Sequence, residues 1–184
     1  MKLKLCLGAI ATLLSANAIA QTCVTTQTAS HQDGQFIDRK DGTLLDVTTN
    51  LLWSKCNLGE TYNSSTDTCD GTALKYENWK KALDATTDST LTTIAGQTGF
   101  RLPNIKELSS IVDYRCTRPA INLTFFPTTT NEPYWTNTPD AHSVNSHYDG
   151  LIIDFDEALE VITDPNNVPS PLVRLVKDFN QTTN

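Results

Sequence analysis

No stretch of the 184 residues beyond the first 20 approaches the roughly 20 consecutive apolar positions that a transmembrane helix needs, so the sequence predicts a soluble mature chain with no membrane insertion. Basic side chains are also scarce, with 14 Lys and Arg against 21 Asp and Glu, a formal charge of -7. An acidic balance repels phosphate backbones and anionic lipid, which argues against nucleic-acid and membrane-surface partners. Catalytic signatures are missing as well. There is no Gly-x-Ser-x-Gly elbow and no Ser, His and Asp set spaced as a triad. Gly96-Gln97-Thr98-Gly99 lacks the Lys and hydroxyl residue of a phosphate-cradling loop. Asp154, Asp156, Glu157 and Glu160 form an acidic cluster without the central Gly of a calcium loop, and read as a solvated hairpin tip. Carboxylates are plentiful enough for two-acid glycoside hydrolysis, but no pair stands out by its context. The expectation is a protein that is not an enzyme, with no cofactor and no metal.

What is present begins with a leader. Lys2 and Lys4 precede an apolar run from Leu5 to Leu14, and Ala18-Ile19-Ala20 supplies the small residues of a cleavage site. Residues 1–20 thus read as a signal peptide, leaving residues 21–184 as one exported domain. Loss of the two lysines takes the formal charge from -7 to -9. Ala20-Gln21-Thr22-Cys23 lacks the pattern of a lipid-attachment site.

Of five cysteines, Cys6 departs with the leader, and Cys23, Cys56, Cys69 and Cys116 remain. An even count in an oxidising compartment points to two disulfides, for which three pairings exist. Cys56 and Cys69 bracket a short polar segment with Gly59, Asn63, Ser64 and Ser65, which favours Cys56–Cys69 and leaves Cys23–Cys116. No cysteine pair has the close spacing of a zinc ribbon, and no His sits beside one.

Phe36–Asp38 and Thr43–Asp46 read as strands about the turn Asp41-Gly42, and Thr48-Thr49-Asn50 turns the chain into a further strand at Leu51-Leu52-Trp53. Asn78 can cap a helix in which Trp79 and Leu83 pair at i,i+4. Asn104 and Glu107 have the spacing of a capping box, and Leu108, Ile111 and Val112 predict an amphipathic helix from Ile105 to Val112. Pro103 makes Phe100-Arg101-Leu102 extended. Later strands are expected at Tyr134–Thr136 and at Tyr148–Phe155, where Leu151, Ile153 and Phe155 would share one face. Leu159–Ile162 is the hairpin partner, and Leu172–Val176 is a last strand that pairs centrally. Two helices followed by a mostly antiparallel sheet make an α+β domain.

The ordered set GTLLD, TTNLLWSKC, the helix around Trp79, GFRLPNIKELSSIVD, RPAIN, FFP, YWTNTP and PLVRLVKD resembles one family, the C-terminal domain of the Legionella collagen-like adhesin. The likeness runs from about Phe36 to Lys177, and RLPN followed by Glu-Leu is its most specific part. It implies a C-type-lectin-like fold, related to the formylglycine-generating enzyme group, with two helices, a twisted antiparallel sheet and long loops. In the adhesin that names the family, the domain binds sulfated glycosaminoglycans and forms a trimer. This chain holds no collagen-like repeat, and its acidity suits a sulfated polymer poorly, so the resemblance carries the fold further than the ligand. The thiols used by formylglycine-generating enzymes lie late in the chain, whereas no Cys follows Cys116 here.

Arg101 and Arg174 lie in the most family-like stretches and read as scaffold ties, each fork binding loop or strand carbonyls. Trp53, Trp79 and Trp135 lie beside other apolar residues and read as core, as do the capping pair Asn104 and Glu107. The loop carrying Asp140, His142, Asn145, His147 and Asp149 offers carboxylate, amide and imidazole groups that could coordinate calcium or a transition metal or hydrogen-bond sugar hydroxyls, and these five are the candidate ligand residues. The tripeptides of a C-type-lectin calcium site are absent: Asn131-Glu132-Pro133 and Trp135-Thr136-Asn137 stand in the comparable places. The functional expectation is a secreted, periplasmic or surface-exposed adhesin-like binding module whose partner is an extracellular glycan or surface protein. The alternatives are an assembly subunit of a surface appendage or secreted complex, with a homo-oligomer as one form, and a carboxylate-dependent hydrolase.

Overall fold

The computed structural model describes residues 20–140, 150–162 and 170–180, so most of the expected leader lies outside the described residues. Strand β1 (Thr22–Cys23) pairs with β7 (Cys116–Thr117), and the disulfide Cys23–Cys116 joins the two directly opposed residues. The central sheet has the order β11-β4-β3-β2, from β2 (Phe36–Asp38), β3 (Thr43–Asp46), β4 (Leu51–Asn57) and β11 (Arg174–Asp178). A second sheet, β10-β9-β8, is built from β8 (Pro133–Pro139), β9 (Gly150–Asp154) and β10 (Leu159–Ile162). Every pairing between these named strands is antiparallel. The domain is α+β.

Sequence chemistry sets the tight turns. Gly42 has φ +90°, and a Cβ there would fall 2.8 Å from that of Tyr62, so only glycine fits the β2–β3 turn. Asp46 Oδ1 accepts from Thr48 N and Thr49 N, and Asn50 takes the left-handed conformation at φ 56° before β4. Helix α1 (Trp79–Ala85) starts at Asn78, whose side chain accepts from Lys81 N. Helix α3 (Ile105–Ser109) starts at Asn104 with both bonds of a capping box.

All seven residues of β4 are buried because both faces of the sheet are covered. Leu51, Trp53, Leu44 and Val176 face one core, closed by Leu108, Ile111, Ile121 and Phe126. Leu52, Val173 and Leu175 face another, closed by Ala82, Phe100, Leu102 and Trp135. The second sheet divides in the same way, with Tyr134 and Ile153 in the first core and Trp135 and Ile152 in the other. A parallel bridge between Tyr134 and Leu172 joins the two sheets.

Four expectations are corrected. The helix at Ile105 ends at Ser109, not Val112. Ser110 N–H bonds the Lys106 and Glu107 carbonyls, and Val112 leaves to bridge Ile121. A third helix, α2 (Ser89–Thr92), is capped by Asp88, and its single turn is too short to show periodicity. The one-sided alternation of β9 is corrected only in part: Ile153 and Phe155 do share one core, but Ile152 on the opposite side is buried as well, 1% exposed. Finally, β11 is at the end of its sheet, and among the described residues only the isolated Arg101–Val176 bridge lies on its outer side.

Candidate functional site

Beyond β4 the chain turns at Leu58-Gly59 into the hairpin β5 (Glu60–Asn63) and β6 (Thr68–Gly71). Gly59 has φ +94°, and a Cβ there would lie 2.5 Å from Leu74 Cγ. Glu60 closes the turn, its Oε2 accepting from Asn57 N at 2.9 Å and Thr128 Oγ1 at 2.7 Å. The Cys56–Cys69 disulfide fixes the hairpin to β4. An ionic cluster fixes its tip: Lys55, only 1% exposed at its side chain, reaches Asp38 Oδ2 at 2.8 Å and also Asp67. Tyr62 donates its hydroxyl to Asp67 Oδ1 at 2.7 Å. Lys40, Lys55 and Tyr62 together hold the Asp67 carboxyl well below the usual carboxylate range, and the Asp67 bond pushes the Tyr62 phenol up to about 12.

Opposite the hairpin stand α2 and the turn that follows it, where Ile94 and Gln97 bridge and Ala95 has φ 51°. Between the two walls is a cleft of 390 Å³, within the size range of small-molecule sites. Leu58, Leu175, Leu91 and Ile94 give it apolar surface; Thr61, Thr90 and Thr93 bring hydroxyls, Tyr62 an aromatic ring, and Asp41 and Glu60 carboxylates. Among the described residues no Lys or Arg lines it. Apolar surface beside hydroxyls, carboxylates and an aromatic ring suits a small polyhydroxylated ligand. Cys56, Glu60 and Cys69 also lie together at metal-ligand spacing, but the disulfide removes both thiolates that a soft metal would need.

The residues singled out in the sequence lie elsewhere. Arg174 is fully buried on the other face of β4, donating to Ser54 O, Lys55 O, Asn57 Oδ1 and Thr129 Oγ1 at 2.7–2.9 Å between the Phe126 and Tyr134 rings. None of these partners is a carboxylate, and burial pushes the guanidinium pKa down. Arg101 forks onto both oxygens of Glu107 at 2.8 Å. Burial works to raise the Glu107 pKa, but Arg101 and the Asn104 N–H outweigh it and hold it down. Trp53 is wholly buried, Trp135 Nε1 donates to Tyr76 O, and Trp79 Nε1 donates to Thr136 O.

Of the candidate ligand loop, Asp140 is described at the end of the β8 segment, while His142, Asn145, His147 and Asp149 lie outside the described residues. The cleft residues went unnoticed in the sequence because Thr61, Tyr62, Thr90 and Thr93 come from two segments with no motif. The Cys56–Cys69 bracket is a local signal for the hairpin wall, and Asp88, which caps α2 in the structure, is a second that went unread.

The family model for the Lcl C-terminal domain matches residues 42–177. No curated protein and no solved structure matches the chain.

Proposed function

The chain belongs to the Lcl C-terminal domain family, and from that premise we propose that it is an exported, C-type-lectin-like binding module that holds a saccharide in the cleft between the β5–β6 hairpin and α2. The leader-like N-terminus, two disulfides and family membership fit a surface-associated role. Among the described residues no helix is long and apolar enough to cross a membrane. The observation that carries the reading is the cleft itself. A 390 Å³ hollow with hydroxyls, carboxylates and an aromatic ring on a disulfide-tied wall is pre-organised for a polar ligand. Binding of the mature protein to a glycan array, with its recovery in envelope or culture-medium fractions, is the expected result. Absence of glycan binding together with a cytoplasmic location would overturn the reading.

A second reading, a carboxylate-dependent hydrolase, is favoured by one observation: Asp41 and Glu60 line the same cleft. Binding is preferred because two-acid hydrolysis needs two available carboxylates, whereas Asp41 is engaged at both oxygens, Oδ2 by Arg39, and Glu60 keeps only Oε1 out of its structural bonds. Glu60 closes its turn, and Asp41 Oδ1 accepts from both Thr43 N and Thr43 Oγ1. Release of reducing ends from a bound oligosaccharide, abolished by Glu60→Gln, would favour the hydrolase.

A further inference from the structure

The charge of the cleft lining narrows the ligand class, an inference that rests on the saccharide reading above. Among the described residues, Asp41 and Glu60 are the only ionisable groups in the lining besides the Tyr62 phenol, which is protonated at neutral pH. The nearby cations are committed elsewhere. Lys55 is buried against Asp38 and Asp67, Lys40 reaches the same two acids, Arg174 is enclosed beneath the other face of β4, and Arg39 is held between Asp41 Oδ2 and the Phe179 ring. A sulfate or carboxylate entering here would lose its water and meet the Glu60 carboxylate, which no salt bridge among the described residues offsets, beside Asp41, whose charge only the partly exposed Arg39 balances at 3.6 Å. An ammonium group would meet the opposite. Both structural bonds to Glu60 fall on Oε2, so Oε1 is not used in closing the turn; Thr61 lines the cleft, and Thr90 and Thr93, whose hydroxyls donate to Asp88 Oδ1 and Ser89 O, can present their oxygens as acceptors to sugar hydroxyls or an ammonium group.

We propose that the cleft selects a saccharide bearing a free amine, a hexosamine-type unit, and rejects sulfated and carboxylated sugars. The negative formal charge of the whole chain acts in the same direction, drawing cationic oligosaccharides toward the surface.

The test uses calorimetric titration of the mature protein with three probes: a β-1,4-glucosamine oligosaccharide, its fully N-acetylated counterpart and a heparin-derived oligosaccharide of the same length. The glucosamine oligomer is expected to bind, more weakly as salt rises, and roughly tenfold more tightly than the N-acetylated form. Thr93 is exposed on the cleft wall, so Thr93→Lys is expected to leave the thermal midpoint unchanged and weaken glucosamine binding by about the same factor. Thr90→Lys is the second variant should Thr93→Lys fold poorly. Equal binding of the acetylated oligomer, or tighter binding of the heparin oligomer unaffected by the lysine variants, overturns the amine proposal while leaving saccharide binding standing. If none of the three binds and the wider array is also silent, the saccharide reading falls and this inference with it.

Discussion

Removing the guanidinium at Arg174 should cost more than any surface change in the molecule. Arg174→Ala removes a donor from two backbone carbonyls, a hydroxyl and the Asn57 amide oxygen, which keeps only the Tyr134 hydroxyl, and vacates the space between Phe126 and Tyr134. A hydrogen bond from a charged donor contributes about 1.5–3 kcal/mol net, so four would sum to at least about 6 kcal/mol if independent. They are not independent, because deleting the cation also relieves the desolvation of an ion that has no carboxylate partner. The expected loss is therefore about 3–5 kcal/mol, a large part of the roughly 5–15 kcal/mol that holds an ordinary domain together. Urea unfolding with both disulfides intact, followed by tryptophan fluorescence, should show the midpoint about 2 M lower for a slope near 2 kcal/mol per M. Arg174→Lys should lose nearly as much, since a point ammonium cannot reach acceptors spread over β4 and Thr129 as a fork does. A shift below about 0.5 M for the alanine variant would refute the view that this buried cation organises the join between β11, β4 and the Phe126–Thr129 turn.

Other outcomes follow from the same geometry. Replacing Cys56 and Cys69 together by Ser should cost about 3 kcal/mol in unfolding free energy and weaken saccharide binding, because the cleft loses its fixed wall. The depressed Asp67 pKa means that its ion-pair stabilisation is fully present above the ordinary aspartate pKa and is lost as pH falls below it. Unfolding measured from neutral pH downward should show that loss, and Asp67→Asn should be less stable at neutral pH with a flatter acid limb. The raised Tyr62 pKa has the opposite sign: its stabilisation is present below the ordinary phenol pKa and is lost as pH rises through about 12, which an absorbance titration of tyrosinate against the Tyr62→Phe variant would resolve. Gly150→Ala places a Cβ 2.3 Å from the Trp79 ring and should cost about 1–3 kcal/mol, with a shifted tryptophan emission as Trp79 is displaced.

The parts of the fold legible in the sequence are those specified by neighbours in the chain. The Asp41-Gly42 turn, the Asn104–Glu107 capping box and the Leu159–Ile162 partner strand each depend on a few adjacent residues. Where long-range packing decides, local pattern misleads. Ile111 and Val112 have helical spacing but are buried from a turn, since Val112 is held by Ile121. The second sheet lies between two cores, so Ile152 is buried opposite Ile153 and a one-faced alternation does not describe β9. The cleft was illegible for the same reason: Thr61 and Tyr62 meet Thr90 and Thr93 only after β4 brings the hairpin beside α2. Charge was readable in bulk, as an acidic chain, but not in place. That Lys55 and Arg174 are both sequestered, leaving a lining without cations, depends on which face of β4 each side chain takes.

Backbone amide mapping by NMR, with whichever oligosaccharide the array returns as the tightest ligand, tests the location of the site most directly. Shifts concentrated at Gly59–Tyr62 and Thr90–Ala95, and suppressed in Thr93→Lys, are the predicted result. A silent cleft with shifts gathered at His142, Asn145 and His147 would place recognition on the loop between β8 and β9 and contradict the account.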